Sequence, residues 1–311
     1  MTAPRLVAYR ALGLGDLLTG VPALRALARA FPDHRRLLAA PRALAPIAAL
    51  TGAIDEVVGA APLAPLPTSL HGAAVAVNLH GRGPQSHVVL LAARPRRLVA
   101  FAHEDVWPAG APAWRAGEHE VSRWCRLLSE SGIPADPDDL RLPAPQVPFP
   151  SAARGATLIH PGAASGARRW PAERWAAVAR TERAAGRRLA ITGTSEERPL
   201  ARAVATAAAL PRAAVLAGRT GLLELAAAVA AADRVACGDT GVAHLATALG
   251  TPSVVLFGPT PPDEWGPPRD GHHIALWAGR RGEPHAQSPD PGLLAISTDA
   301  ATAALERLTG V

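Results

Sequence analysis

Five segments of this sequence place acids, cations or an imidazole beside small residues, where short apolar runs end. The first, Leu12-Gly13-Leu14-Gly15-Asp16, offers glycines that let backbone approach a ligand and an acid where a helix begins; Asp16 serves equally well as a plain helix cap. Leu18 stands where a third glycine would complete a dinucleotide fingerprint, so that motif is excluded. The second, His160-Pro161-Gly162 through Arg168-Arg169-Trp170-Pro171, joins small residues to two arginines, a combination suited to phosphate oxygens. In the third, Thr192-Gly193-Thr194-Ser195-Glu196-Glu197, the acids either favour a helix dipole or accept from ribose hydroxyls. The fourth, Cys237-Gly238-Asp239-Thr240-Gly241-Val242-Ala243-His244, is an anion-site turn suited to a diphosphate, with His244 one helical turn further on. The fifth, Phe257-Gly258-Pro259-Thr260-Pro261-Pro262-Asp263-Glu264-Trp265, is a rigid loop, either a sugar or base wall or a surface corner. No HExxH, Walker or Gly-x-Ser-x-Gly motif occurs, so metal catalysis and serine hydrolysis lack support.

These loops need strands and helices to hold them. Strands are expected at 6–9, 37–40, 57–59, 75–79 and 98–101, then at 156–160, 188–192, 214–216, 234–236 and 253–257. Helices are expected at 16–31 (with a bend at Pro22), 41–50, 120–131, 171–185, 196–208, 222–231, 242–249 and 299–308, the last ending at Gly310. Pro171 is expected at a first helical position. Four prolines between Leu142 and Pro150 read as a stiff linker, dividing the chain into domains 1–150 and 151–311. Apolar strands alternating with helices imply an α/β fold of two Rossmann-like domains with parallel sheets, and ligands in a cleft at the strands' carboxyl ends.

The chain has 311 residues, 49% of them apolar and 19% charged, which suits two packed domains and excludes disorder. Its net charge is +6, and all 32 cations are arginines scattered along the chain. With only 4% aromatic residues, neither a basic run nor a base-stacking platform exists, so nucleic acid is not an expected partner. Two isolated cysteines, Cys125 and Cys237, imply neither a disulfide framework nor a zinc site. Charged residues interrupt the amino-terminal apolar stretch, so a cytoplasmic protein without an integral membrane segment is expected; peripheral membrane association stays open.

Taken together, GLGDLLTGVPALRALARAFP, HPGAASGARRWPAERW, GTSEER and CGDTGVAHLATALGTPSVVLFGPT resemble glycosyltransferase family 9, the ADP-heptose:lipopolysaccharide heptosyltransferases. The resemblance spans nearly the whole chain and is most specific in the last block. It implies a GT-B fold, an acceptor-binding amino-terminal domain, a donor-binding carboxy-terminal domain and no metal or other cofactor. Residue by residue, it implies Asp16 as general base. Gly15, Ala163, Ala164, Arg168, Glu197, Asp239, Thr240, Gly241 and His244 would bind the donor, and His80 and Arg82 the acceptor. Arg168 stands where the family usually has Lys. Asn78 stands in place of an acid and Gln85 in place of a basic residue, both on the acceptor side.

The reading is an inverting, metal-independent glycosyltransferase using an ADP-linked or other nucleotide sugar. The departures turn attention to acceptors other than lipopolysaccharide, such as a cell-wall glycan or a natural product. The alternatives are a nucleotide-sugar epimerase or hydrolase of the same fold and a non-catalytic nucleotide-sugar binding protein.

Overall fold

A computed structural model describes residues 3–106 and 110–308 of the chain. It divides into two units, 1–140 and 141–311. The division falls ten residues before the end of the proline-rich stretch, and the reason is local. Leu142 is buried and its N–H donates to the Ala248 carbonyl, so the stretch begins packed on the second unit.

The first unit holds five parallel strands: β1 (Arg5–Tyr9), β2 (Arg35–Ala40), β3 (Glu56–Gly59), β4 (Val75–Asn78) and β5 (Arg97–Val99). Their order is β3-β2-β1-β4-β5, with Tyr9 opposite Asn78 at the carboxyl ends of the central pair. Val7, Tyr9, Leu37, Ala39 and Leu90 belong to its core. The second unit holds β6 (Ala156–His160), β7 (Arg188–Ile191), β8 (Arg234–Gly238), β9 (Ser253–Phe257) and β10 (His273–Trp277), in the order β10-β9-β8-β6-β7 and again all parallel. β6, β8 and β9 are buried along their whole length, as parallel strands covered on both faces must be. Trp170 and Trp175 meet edge to face in that unit's core, with ring centroids 4.9 Å apart.

Several local expectations are corrected. The helix expected over 16–31 is two helices, Leu14–Thr19 and Val21–Ala30. Pro22 does not bend a continuous helix: lacking an N–H, it sits in the first turn of the second one, and the break falls at Gly20. The segment 41–50 opens as a 3-10 turn, Arg42–Leu44, before the helix Ala45–Leu50. Pro171 is the N-cap of Ala172–Ala184, one residue before the first helical position. The strand expected at 214–216 does not form: Ala214 closes a 3-10 turn, Arg212–Ala214, and Val215 makes a single bridge to Ile191, too little for a ladder. The helix expected from 196 begins at Arg198, which leaves Glu197 as its N-cap residue.

Two elements have no counterpart in the expectations. The helix Gln85–Ala92 opens with three polar residues and continues as an apolar run from Val88 with no helical period, and β10 is a half-exposed edge strand. The last helix is Thr298–Arg307, and Gly310 lies outside the described residues.

The helix Gly241–Leu249 ends at Gly250 in the left-handed region, with φ 75°. Gly250→Ala should therefore destabilise the protein by about 1–2 kcal/mol through backbone strain, and its Cβ would also displace the Arg141 guanidinium; both are read as a lower denaturation midpoint.

Candidate functional site

In each unit the strand order reverses at one place: between β1 and β4 in the first, and between β6 and β8 in the second. There the connections leave in opposite directions, and the crevice beyond the strands' carboxyl ends is where open α/β sheets bind ligands. The candidate loops lie at these two places, and each unit is described in turn.

In the first unit, Asp16 is the third residue of the helix that follows β1, and its Oδ2 accepts the Gly13 N–H at 3.1 Å. Asp16 thus makes the reach-back bond of an N-terminal capping pair, yet its side chain keeps 27% exposure. Gly15 is the helix's second residue. Burial raises the Asp16 carboxyl above its usual range; Arg10 opposes this and Glu120 reinforces it. Arg10, whose guanidinium is fully buried, donates to the Asp16 and Leu79 carbonyls and, at 3.0 Å each, to Thr19 Oγ1 and Glu120 Oε1. Its Nη2 lies 3.7 Å from Asp16 Oδ1.

His80, just beyond β4, stacks on Tyr9 with centroids 4.5 Å apart. Burial, helped by Arg10, lowers its pKa to about 4, so the ring is neutral near pH 7. Asn78 organises this loop. Its Oδ1 accepts the His80 N–H at 3.0 Å, and its Nδ2 donates to Ser86 Oγ at 2.9 Å and to His87 Nδ1 at 3.4 Å. His87 Nε2 lies 2.7 Å from the Phe101 carbonyl, which fixes the proton on that nitrogen and makes Nδ1 the acceptor. An amide therefore suits position 78, because a carboxylate has no N–H to give to a neutral His87. Beside this loop, Arg82, Gly83, Pro84, Gln85, Ala102, His103 and Trp114 line a cavity of about 330 Å³. Arg82 is exposed at its edge.

In the second unit, Ala163 and Ala164 lie in the loop after β6, the first buried and the second exposed. Arg168 closes a 3-10 turn, Gly166–Arg168, and reaches across to the loop after β8. Its Nη1 donates to the Asp239 carbonyl at 3.4 Å and lies 3.7 Å from Asp239 Oδ2. Gly238 permits this approach, since a Cβ there would press on the Arg168 carbonyl; Gly166 instead lets the backbone at Gln287 pack against the turn, where a Cβ would overlap the Gln287 carbonyl. Thr240 is the N-cap of Gly241–Leu249, so the first turn of that helix lies beside Arg168 and Asp239. His244, one turn in, meets Trp265 edge to face at 5.9 Å. Glu197 turns back to accept the Thr194 N–H at 2.8 Å, and its Oε2 lies 3.9 Å from His160 Nε2. Gly162 leaves room for that carboxylate, which a Cβ would overlap. Among the described residues, no cluster of three or more His, Cys, Asp or Glu could hold a metal ion, and no helix is long and apolar enough to cross a membrane.

The structure thus brings Asp16, Gly15 and His80 to one strand-order reversal, and Arg168, Asp239, Thr240, Gly241 and His244 to the other. Sequence reasoning missed Arg10, Glu120 and His160. The first two are 110 positions apart, and no local motif marks either.

Two α/β units, each with a parallel sheet and candidate loops at its strand-order reversal, define the class of a two-domain α/β protein. Known proteins narrow this class. Residues 107–291, more than half of the chain, match the model of glycosyltransferase family 9 (heptosyltransferase). The lipooligosaccharide heptosyltransferase 2 of Haemophilus influenzae is 28% identical over 171 residues, which cover 48% of this chain and 49% of that protein. The chain thus matches about half the length of this curated relative. A glycosyltransferase family 9 structure from Veillonella parvula superposes with a TM-score of 0.76 at 19% identity, covering 99% of this chain and 98% of that one. The E. coli ADP-heptose LPS heptosyltransferase II gives a TM-score of 0.76 at 20% identity, with 98% of each chain covered. The fold is GT-B, and the chain belongs to glycosyltransferase family 9.

The site's neutral imidazoles carry a pH signature. An unfolded His80 takes a proton near its ordinary value of 6.5, whereas the folded one does so only near 4. Below pH 6.5 the unfolded chain therefore binds more protons, and stability falls as the pH drops toward 4. Burial lowers His273 to about 4 as well, adding to the slope. Chemical denaturation between pH 7 and 4 should show this loss, with a shallower slope in His80→Gln.

Proposed function

We propose that this protein is an inverting, metal-independent glycosyltransferase that moves a heptose or similar sugar from an ADP-linked donor to an acceptor hydroxyl. The observation that carries this reading is Asp16: a partly exposed carboxylate at a strand-order reversal, kept more basic than usual by burial. A general base needs that combination, since it must reach the hydroxyl and hold its proton. As the acceptor oxygen bonds to the anomeric carbon from the face opposite the leaving group, Asp16 takes the hydroxyl proton. The bond to the diphosphate breaks with its electron pair, and the configuration inverts.

Arg168 and the N–H groups at the start of Gly241–Leu249 are suited to the charge that grows on the departing diphosphate. Glu197 is assigned to the nucleoside, Asp239 to the donor sugar, and Gly15, Ala163, Ala164 and His244 to the remaining donor contacts. The ADP assignment draws on the relative named for ADP-heptose. His80 and Arg82 are assigned to the acceptor, with the adjoining cavity giving it room. A cytoplasmic location fits substrates of this kind. A cell-wall glycan or natural product fits the amide at 78 and Gln85 as acceptor-side departures.

Without metal, ADP at about 100 times its dissociation constant should stabilise the protein by roughly 2.7 kcal/mol, and GDP, UDP and dTDP should do less. Arg168→Ala should weaken ADP binding by about 10-fold or more, as loss of a charged phosphate contact does. Asp16→Asn should cut ADP release from ADP-heptose by roughly 10²–10⁴-fold while leaving the ADP dissociation constant unchanged. Near-wild-type turnover in that variant would refute the role of Asp16.

A further inference from the structure

The guanidinium of Arg10 is buried at the carboxyl end of β1, where its donors are divided among partners from different parts of the first unit. Nε goes to the Asp16 carbonyl, Nη1 to the Leu79 carbonyl beyond β4, and Nη2 to Thr19 Oγ1 and Glu120 Oε1. Arg10 therefore ties the loop after β1 to the loop after β4. Its Cζ also lies 4.9 Å from the Trp124 ring centroid, which fixes the side chain from a further direction.

An unopposed cation here would form a full ion pair with the nearest carboxylate. That carboxylate is not Asp16: Nη2 is 3.0 Å from Glu120 Oε1 and 3.7 Å from Asp16 Oδ1. Glu120, the first residue of the helix Glu120–Glu130, is buried and accepts from Trp124 Nε1 at 2.8 Å and from Arg123. Burial opposes its charge, but Arg10 and Arg123 outweigh that and keep it ionised. The titratable or charged groups facing this cluster are Arg10 just after β1, Glu120 and Arg123 from that helix, and His80 from the loop after β4.

We propose that Glu120 is a positioning residue for Asp16: it engages and offsets Arg10, so that Arg10 orients the Asp16 loop without claiming the Asp16 carboxylate. The proposal rests on the reading of Asp16 as the base and adds the device that leaves its carboxylate available to a substrate proton. Trp124 and Arg123 hold Glu120 in place, so the chain of contacts runs from an interior helix to the site.

A ¹³C NMR titration of the aspartate carboxyls in the ligand-free full chain tests this, with the Asp16 resonance assigned by its loss in Asp16→Asn. In Glu120→Gln the uncompensated Arg10 should lower the Asp16 midpoint by about half a unit or more. The charge-balanced pair Arg10→Gln with Glu120→Gln should move it upward, since burial then acts without the cation. Glu120→Asp should keep it near wild type. Should Glu120→Gln fail to fold, the paired variant is compared with Arg10→Gln alone, and the Asp16 midpoint should lie lower in the pair than in that single variant. A purely structural Glu120 would lower Tm yet leave the Asp16 midpoint unmoved in Glu120→Gln, and equal in Arg10→Gln and the pair, which would overturn the proposal. ADP release from ADP-heptose by Asp16→Asn separates the two readings: normal turnover there removes the base, whereas a lost turnover with an unmoved midpoint removes only the role of Glu120.

Discussion

The structure depends on one constraint of parallel sheets: a strand whose two neighbours connect onward in opposite directions leaves a crevice at its carboxyl end. In the first unit that strand pair is β1 and β4; in the second it is β6 and β8. Backbone at these ends emerges from a fully buried ladder, so the next few residues are held by the sheet while their N–H groups and side chains face outward. The functional loops are short because the sheet already does the positioning.

The two units use this constraint differently. The second relies on close backbone approach: Gly238 lets the turn carrying Arg168 lie against the loop carrying Asp239, and a helix start lies beside both. The first relies on buried charge. A guanidinium in its interior needs acceptors, and it finds them on both loops and on a helix far along the chain, fastening them together.

Asn78 shows how a substitution reads once its surroundings are known. In the sequence it is only an amide in place of an acid. In the structure it is the donor that a neutral His87 requires, and the acceptor that turns the His80 backbone. The loop after β4 is therefore built on neutral hydrogen bonds, and Arg82 is exposed beside the cavity.

Much of this was legible in the residues themselves. Apolar runs of strand length gave nine of the ten strands, and glycine-rich endings marked Asp16, Arg168 and Asp239 without any contact being known. These features are local: period, turn chemistry and capping act over a few residues, and so leave a local trace. The half-exposed edge strand β10, the helix Gln85–Ala92 and the abortive strand near Val215 were misread because burial and neighbours, not period, decide them. What tertiary structure alone decided is which charges meet. Glu120 reaches Arg10 across 110 residues, and Glu197 reaches His160 through the space left by Gly162. Electrostatic partnership depends on distance in space, and no spacing along the chain encodes it.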